Sequence, residues 1–582
     1  MQSDFWNRTM LQASSGKLPG AISAARLQLR MKPKDAEAAE LLGLLLQRSG
    51  ENEQSLHYLR LGAQWLPDDE MHLHNFAGAL LRNGIIAEAI QVWQRACTLH
   101  PHYALAWMGI TSAHLANNDA AQALETSAQG LALQPHWPIL VCLHANALTR
   151  VGRREDAIHI LQTFLQQNPE ETTVRSNLLV LLNYTARDPK EIFVQHQAFG
   201  NALPKPAALS ANPEAFVANA TLRLGVLSSD LRNHSVASFS EAFLCNAPAN
   251  VKVIIFSNAQ HEKDKTVVAK FKAAADRWHD VALLDDAALD QKIRSERIDV
   301  LLELNGHTSG DRLHALARKP APVIVSAIGY PNTTGMSAID WRIVDSITDP
   351  LGSEILCTEK LLRLDPCFLC FTPPQHAPMP RMPEASQPIT FGSFNNAAKI
   401  GAETVALWSS VLRAIPQSRL LLKSQWLLEA AAREDLLANF ALQQVQRDRI
   451  ELLDYAPNLQ AHLLLYQRMH VALDTLPYNG TTTTCEALWM GVPVIALRGD
   501  RHAARVSASL LTACGMQECI AENAENFIHL ATTLAKDLDR LRALRVTLRA
   551  TLSDSILLDS ANYAARFYGA LRGCQAQSTR TQ

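Results

Sequence analysis

A chain of 582 residues exceeds what one hydrophobic core usually serves, so about two to four domains are expected. Apolar residues make up 48% and charged residues 19%, which excludes wholesale disorder. Lys plus Arg number 54 against 56 Asp plus Glu, so no overall field favours nucleic acid or an anionic membrane, and any polyanion site must be local. The opening MQSDFWNRTMLQASSGKLPG has neither the basic start nor the apolar middle of a secretory signal, and no apolar run approaches the ~18 to 20 residues that span a bilayer. A cytoplasmic address is the expectation. Ten cysteines are scattered through the chain, and only Cys367 and Cys370 form a C-x-x-C pair. Without a second pair or nearby histidines, CFLCF reads as a buried strand, with no disulfide and no structural metal expected.

From the N-terminus, prolines recur at Pro33, Pro67, Pro101, Pro135 and Pro169, 34 residues apart each time. Seventeen residues before each stand Gly16, Gly50, Gly84, Asn118 and Gly152, types that tolerate left-handed backbone at a tight turn. Five residues further on come Ala21, Ser55, Ala89, Ala123 and Ala157, all small. Closely packed helices joined by a turn and stopped by proline describe a helix-turn-helix unit. The pattern resembles the tetratricopeptide repeat, whose period is about 34. Five repeats cover roughly residues 2 to 171, and TTVRSNLLVLLNYTA reads as the first helix of a sixth. Such units stack into an α-solenoid with a concave, peptide-binding face; the alternative is a spacer or dimerisation arm.

After about residue 186 the period ends, and DPKEIFVQHQAFGNALPKPAALSANPEAF reads as a helix and a Pro/Ala/Asn-rich connector, with a domain boundary near 205 to 220. LRLGVLSS, VKVIIFS, IDVLLELNGH and APVIVSAIGYP then alternate with helical stretches. Beyond a second connector at 372 to 388, PITFGSF, SRLLLKS, RIELLDY, HVALDTLP and VPVIALRG repeat the pattern. Two successive blocks of this kind predict two Rossmann-like lobes, each a parallel sheet with helices on both faces. The absence of G-x-G-x-x-G and G-x-x-x-x-G-K-[ST] argues against a dinucleotide dehydrogenase and a P-loop NTPase.

The segment VALDTLPYNGTTTTCEALWMGVPVIALRG carries the most chemistry. A strand ends at Asp474, a loop brings Asn479, Gly480 and Thr481 to Thr484, and a helix starts near Cys485. Free N–H groups and hydroxyls at a helix start make a cradle for a diphosphate at the ligand-binding edge of an α/β sheet. Glu486, one turn into the helix, is placed to accept ribose hydroxyls; the bland alternative is that the threonines only cap the helix.

The stretches LRLGVLSSDLRNHSVASF, IDVLLELNGHT, RKPAPVIVSAIGYPNTTG, GSFNNAAKI and LDTLPYNGTTTTCEALWMGVP resemble the catalytic motifs of the O-GlcNAc transferase and SPINDLY family. The likeness runs through nearly all of residues 221 to 570 with the motifs in family order. It implies a glycosyltransferase-B fold and inverting transfer without a catalytic metal or cofactor. The donor it implies is UDP-GlcNAc, or GDP-fucose in the SPINDLY branch, and the acceptors are protein Ser and Thr hydroxyls. The implied organisation is repeats over 1–185, a helical linker over 186–220, catalytic lobes over 221–380 and 388–570, and a tail over 571–582. Partners would be polypeptides in the repeat groove, with self-association through the repeats left open and no nucleic acid or membrane.

On this resemblance Lys399 matches the lysine that contacts the β-phosphate, where negative charge grows as the sugar leaves. A compact ammonium suits that role. His462 matches a histidine that packs on the nucleotide base. Asn305, Thr308, Pro331, Asn396, Asn479, Gly480, Thr481, Thr482, Thr483 and Glu486 complete the expected nucleotide-sugar contacts. His234 and His307 are strand-end histidines that the family matches, with His234 expected nearest the acceptor and sugar. Glu303, an acid in an apolar strand, is either a base of raised pKa or a partner that orients a neighbour. Two departures from animal O-GlcNAc transferases, Thr481 for a histidine and Tyr478 for a small residue, agree with SPINDLY-type sequences. So do PNTTG and GSFNN. The asparagine ladder of the animal repeat groove reads here Leu41, Asn75, Gly109, Leu143 and Asn177, so it is mostly missing. The competing readings are a catalytically silent scaffold that senses a nucleotide-sugar and a transferase for a small-molecule or Asn acceptor.

Overall fold

The structure, a computed structural model, describes residues 3–14, 17–205, 221–259, 265–384 and 386–580. Gly16, the expected connector at 206–220 and the last two residues of the expected tail lie outside the described residues. The chain forms two compact units, Met1–Pro169 and Glu170–Gln582.

In the first unit, helices of 14 residues (Leu18–Met31, Asn52–Trp65, Ile86–Leu99, Ala120–Leu133, Arg154–Gln167) alternate with helices of 13 (Ala36–Arg48, Glu70–Arg82, Ala104–Ala116, Pro138–Arg150). The periodic prolines stand just beyond the longer helices, where they end a turn of helix at no hydrogen-bond cost. Asp35 and Asp69 cap the shorter helices that follow two of them. Gly50, Gly84, Asn118 and Gly152 hold positive φ at the intervening turns, and the small residues Ala21, Ser55, Ala89, Ala123 and Ala157 are buried where helices meet. Three of the ladder positions are taken up within the fold. Leu41 is buried, and a Cβ on Gly109 would come within 2.2 Å of the Trp93 ring. Asn75 donates to Glu40 Oε1 at 2.6 Å.

The second unit begins with the helices Thr172–Leu182 and Pro189–Ala202. The helix expected to start a sixth repeat therefore belongs to the compact unit of the sheets. The second of these helices meets the loop at residues 333–336 so closely that a Cβ on Gly200 would fall 1.8 Å from the Gly335 carbonyl oxygen.

The first sheet contains β1 (Leu222–Ser228), β2 (Val251–Ser257), β3 (Arg277–Asp280), β4 (Val300–Glu303), β5 (Val323–Ser326), β6 (Trp341–Val344) and β7 (Lys360–Arg363). The second contains β8 (Thr390–Ser393), β9 (Arg419–Lys423), β10 (Ile450–Leu453), β11 (Val471–Leu473), β12 (Val494–Leu497) and β13 (Ile520–Ala521). Their orders are β3-β2-β1-β4-β5-β6-β7 and β10-β9-β8-β11-β12-β13, with every pairing parallel. Each sheet reverses its strand order once, between β1 and β4 and between β8 and β11, and such reversals open the crevice where α/β sheets take ligands.

Three details differ from the sequence expectations. Residues 367–371 are buried but form no strand; their backbone is held by Asp345 Oδ2, the Tyr563 hydroxyl and the Leu557 carbonyl. The expected tail continues the helix Ser560–Arg580, whose Leu571 and Cys574 are buried and whose Tyr568 donates to the Phe243 carbonyl of the first lobe. The helix after β11 starts at Thr482, three residues before the expected start. All ten cysteines are free thiols. Among the described residues no helix is long and apolar enough to cross a membrane, and no group of three or more His, Cys, Asp or Glu side chains converges as a metal site.

Candidate functional site

The sequence after β11 folds into a turn organised by Asp474, which is buried at the strand end. Its Oδ1 accepts from Thr475 N at 2.9 Å and from Gly480 N at 2.7 Å, while Asn479 Nδ2 donates to the Thr475 carbonyl at 2.9 Å. A Cβ on Gly480 would lie 2.7 Å from both the Thr483 and Thr484 hydroxyl oxygens, so any side chain there would displace them. The turn delivers the chain into the helix Thr482–Trp489, whose preceding residue, Thr481, makes no capping hydrogen bond. Thr483 donates to Asn395 Oδ1 at 2.8 Å, and Thr484 pairs with Ser507. Among the described residues the hydroxyls of Thr481 and Thr482 have no partner, and the N–H groups of Thr482 to Thr484 have no acceptor. An uncapped helix start of this kind carries partial positive charge and unused donors, which suits an anion.

Lys399 follows β8 across the switch point and reaches the same place. Its Nζ donates to the Asn479 carbonyl at 2.6 Å and lies 3.9 Å from the centroid of the Tyr478 ring, leaving two of three N–H donors unused. Burial pushes its pKa down to about 8, against the pull of Asp474. Tyr478 is in turn stacked on Tyr184 with centroids 5.3 Å apart. The turn is braced from behind by Asn479 N donating to the Ala503 carbonyl at 2.9 Å, and the neighbouring His502 pairs with Asp349 of the first lobe at 2.5 Å.

Further along the same lobe, His462 Nε2 meets Glu486 Oε2 at 2.9 Å and the Tyr466 hydroxyl donates to that oxygen at 3.3 Å. The rings of Phe394, His462 and Tyr466 form one aromatic cluster. Buried His462 Nδ1 has no partner. The structure thus brings together Lys399, Asn479, Gly480, Thr481, Thr482 and Thr483, with His462 and Glu486 beside them.

The first-lobe candidates behave differently. Glu303 is fully buried at the end of β4 and accepts from Asn305 N and Gly306 N, each at 2.5 Å, and from Ser326 Oγ at 3.1 Å. Burial pushes its pKa up to about 7. Asn305 bridges the switch-point loops, donating to Ser229 Oγ and Asp230 Oδ2 and accepting from Ser229 N. His307 is buried with both ring nitrogens engaged, by Ser176 Oγ at 2.9 Å and the Thr334 carbonyl at 2.9 Å, and burial pulls its pKa down to about 4. It therefore ties the helix Thr172–Leu182 to the first lobe and presents no free ring atom. Thr308 donates to the Asn305 carbonyl and Pro331 is half-buried, while Asn396, in the second lobe, is exposed and caps the short turn that ends at Lys399. His234 is the accessible one: its side chain is 41% exposed, its Nδ1 accepts from Val236 N at 3.3 Å, and Asp230 Oδ2 stands 3.8 Å away.

Sequence reasoning passed over Asp474 as an organiser, Asn395, Phe394, Tyr466 and Lys423. Lys423 had a readable signal, a charge ending the apolar run SRLLLKS. The others depend on packing between segments about 70 to 90 residues apart, which periodicity does not report.

Two parallel sheets with the same switch topology, joined by buried side-chain contacts, define a two-lobed α/β architecture with a crevice at each switch point. The chain belongs to glycosyl transferase family 41, whose pattern matches residues 200–381 and 379–567. Over 417 residues it is 36% identical to the probable UDP-N-acetylglucosamine–peptide N-acetylglucosaminyltransferase SPINDLY of Oryza sativa subsp. japonica, covering 70% of this chain and 45% of that protein. It is 31% identical over 353 residues to the corresponding SEC protein of Arabidopsis thaliana, covering 58% and 35%. The chain thus spans less than half the length of these curated relatives. A solved structure of a lysine-to-methionine mutant of Thermobaculum terrenum O-GlcNAc transferase superposes with TM-score 0.80 at 32% identity, covering 88% of this chain and 98% of that one.

Proposed function

We propose that the chain is a protein O-glycosyltransferase that moves GlcNAc from UDP-GlcNAc to Ser or Thr hydroxyls, with inversion and without a catalytic metal or other cofactor. The observation that carries this reading is the meeting of Lys399, with two unused donors, and the uncapped start of the helix Thr482–Trp489. In the proposed step the acceptor oxygen bonds to the sugar's anomeric carbon as the bond to the β-phosphate oxygen breaks, and the nucleoside diphosphate leaves with the bonding electrons. Negative charge then grows on the β-phosphate, where an ammonium, helix N–H groups and threonine hydroxyls stabilise it most. His234, exposed beside Asp230, is the side chain assigned to the acceptor side; the acceptor's proton passes to it, to water or to the leaving phosphate. The repeats of the first unit serve to hold the acceptor polypeptide, by side chains other than an asparagine ladder.

A second donor, GDP-fucose, is favoured by one feature. Tyr478, stacked on Tyr184 and under Lys399, fills space beside that lysine with a large ring at the position where animal O-GlcNAc transferases carry a small residue, which suits a donor sugar without an N-acetyl group. Incubation with UDP-GlcNAc, GDP-fucose and UDP-glucose separately, followed by intact-mass measurement of the enzyme and of lysate proteins, tests both. A HexNAc increment supports the first reading and a deoxyhexose increment the second. No increment with any donor, from protein that binds the nucleotide, returns the silent scaffold.

A further inference from the structure

Lys423 ends β9 with only 6% of its surface exposed, yet its ammonium makes no hydrogen bond or ion pair among the described residues. It lies over two aromatic rings, 5.5 Å from the centroid of Phe394 and 5.1 Å from that of Tyr455. Such contacts offset part of the desolvation of a buried cation but fill none of its three N–H bonds. Burial holds its pKa below the ordinary lysine value, and the longer-range attraction of Glu486 opposes this. The side chain is thus held at the edge of the aromatic cluster with its N–H donors unfilled, open to an acceptor that a ligand brings.

Its position says what that acceptor is. The phosphate cradle lies after β8 and β11, whereas Lys423 ends β9 and Tyr455 follows β10, on the far side of β8. Between them stands Phe394, whose ring packs against His462, and His462 holds Glu486. A nucleotide with its diphosphate at the helix start and its ribose by Glu486 extends its base towards Lys423. We propose that Lys423 reads the base edge of the donor, donating to a keto oxygen and so admitting uracil or guanine while rejecting cytosine and adenine. The chemistry is that of a group that only donates. Uracil O4 and guanine O6 accept from it, whereas cytosine and adenine carry an amino donor at the same edge.

This inference rests on the proposed nucleotide-sugar site, and the test separates the two. Calorimetric Kd values for UDP, CDP, GDP and ADP at one salt concentration are measured on the full chain and on Lys423→Met, which keeps length and packing without charge. Lys423→Gln is the second variant, and thermal melts establish folding of both. The wild type is expected to prefer UDP over CDP, or GDP over ADP, by at least about tenfold, and the variants to bring that ratio within about threefold. A ratio unchanged in folded variants overturns the proposal. So does an equal fall for all four nucleotides, which would make Lys423 a phosphate contact. A wild type that binds none of the four overturns the nucleotide-sugar reading itself.

Discussion

The two lobes share a strand order, and each places polar side chains at its switch point, but they use them in opposite ways. In the first lobe Glu303, Asn305 and His307 each have their bonding capacity taken up by protein partners, and the His307 ring packs on Tyr330, whose hydroxyl bonds His196 and Asn183, the latter just past the helix Thr172–Leu182. In the second lobe Lys399, Thr481, Thr482, Lys423 and His462 Nδ1 retain unused donors or acceptors. Buried polar groups are rarely left unpaired without a reason, so the first set reads as scaffold and the second as the place a ligand completes. Two charged or titratable residues at equivalent strand ends can thus have unrelated roles, decided by how many of their bonds the fold has already made.

The largest effect that would break this contrast concerns Lys399. Lys399→Ala should lower turnover about 100- to 1000-fold while donor affinity changes little, because the contact strengthens as the sugar–phosphate bond breaks. Lys399→Arg should rescue little, since a planar fork does not reproduce a compact charge. Calorimetry and single-peptide turnover on folded protein separate the two quantities. Near-normal turnover in Lys399→Ala would end the role assigned to this lysine.

His307→Ala should do the reverse. Losing a buried ring that bonds Ser176 and Thr334 should cost about 2 to 4 kcal/mol of stability, from a cavity and unpaired polar atoms. Turnover per folded molecule should stay within a few-fold. Denaturant melts with activity corrected for folded fraction check this, and a large fall in turnover with unchanged stability would return His307 to the chemistry.

The smallest expected effect is a pH dependence. Glu303 has its carboxyl pKa raised by burial from 4.5 to about 7, so the folded state binds a proton that the unfolded state releases between those values. The stability it contributes is full below about pH 4.5 and is lost as pH rises through about 7. Glu303→Gln should flatten that decline in a series of melts, and an unchanged slope would assign it to other groups.

Much of this was legible in the sequence. The 34-residue spacing of prolines marked the helical hairpins because each had to stop a helix at the same place, and the glycines and Asn118 between them do hold positive φ. The strands in longer apolar runs were readable; β3 (RWHD), β6 (WRIV) and β7 (KLLR), whose short runs carry charges, and the two-residue β13 were not, because they hold too little apolar pattern to register. The turn from Asp474 into a helix was readable because a glycine and four threonines follow a strand end in one short stretch, although the helix takes in three of those threonines. That His307 is used up by Ser176 was not, since that bond joins residues 131 apart, and residue type alone does not say whether a histidine is free.

Hydrogen–deuterium exchange of the full chain with and without saturating UDP or GDP tests the contrast between lobes most directly. Backbone N–H groups that a diphosphate completes should gain protection in peptides covering 478–486, while those covering 303–308 and 330–336, already bonded within the fold, should not change. Protection at 303–308 with none at 478–486 would contradict the assignment of the second lobe as the donor site.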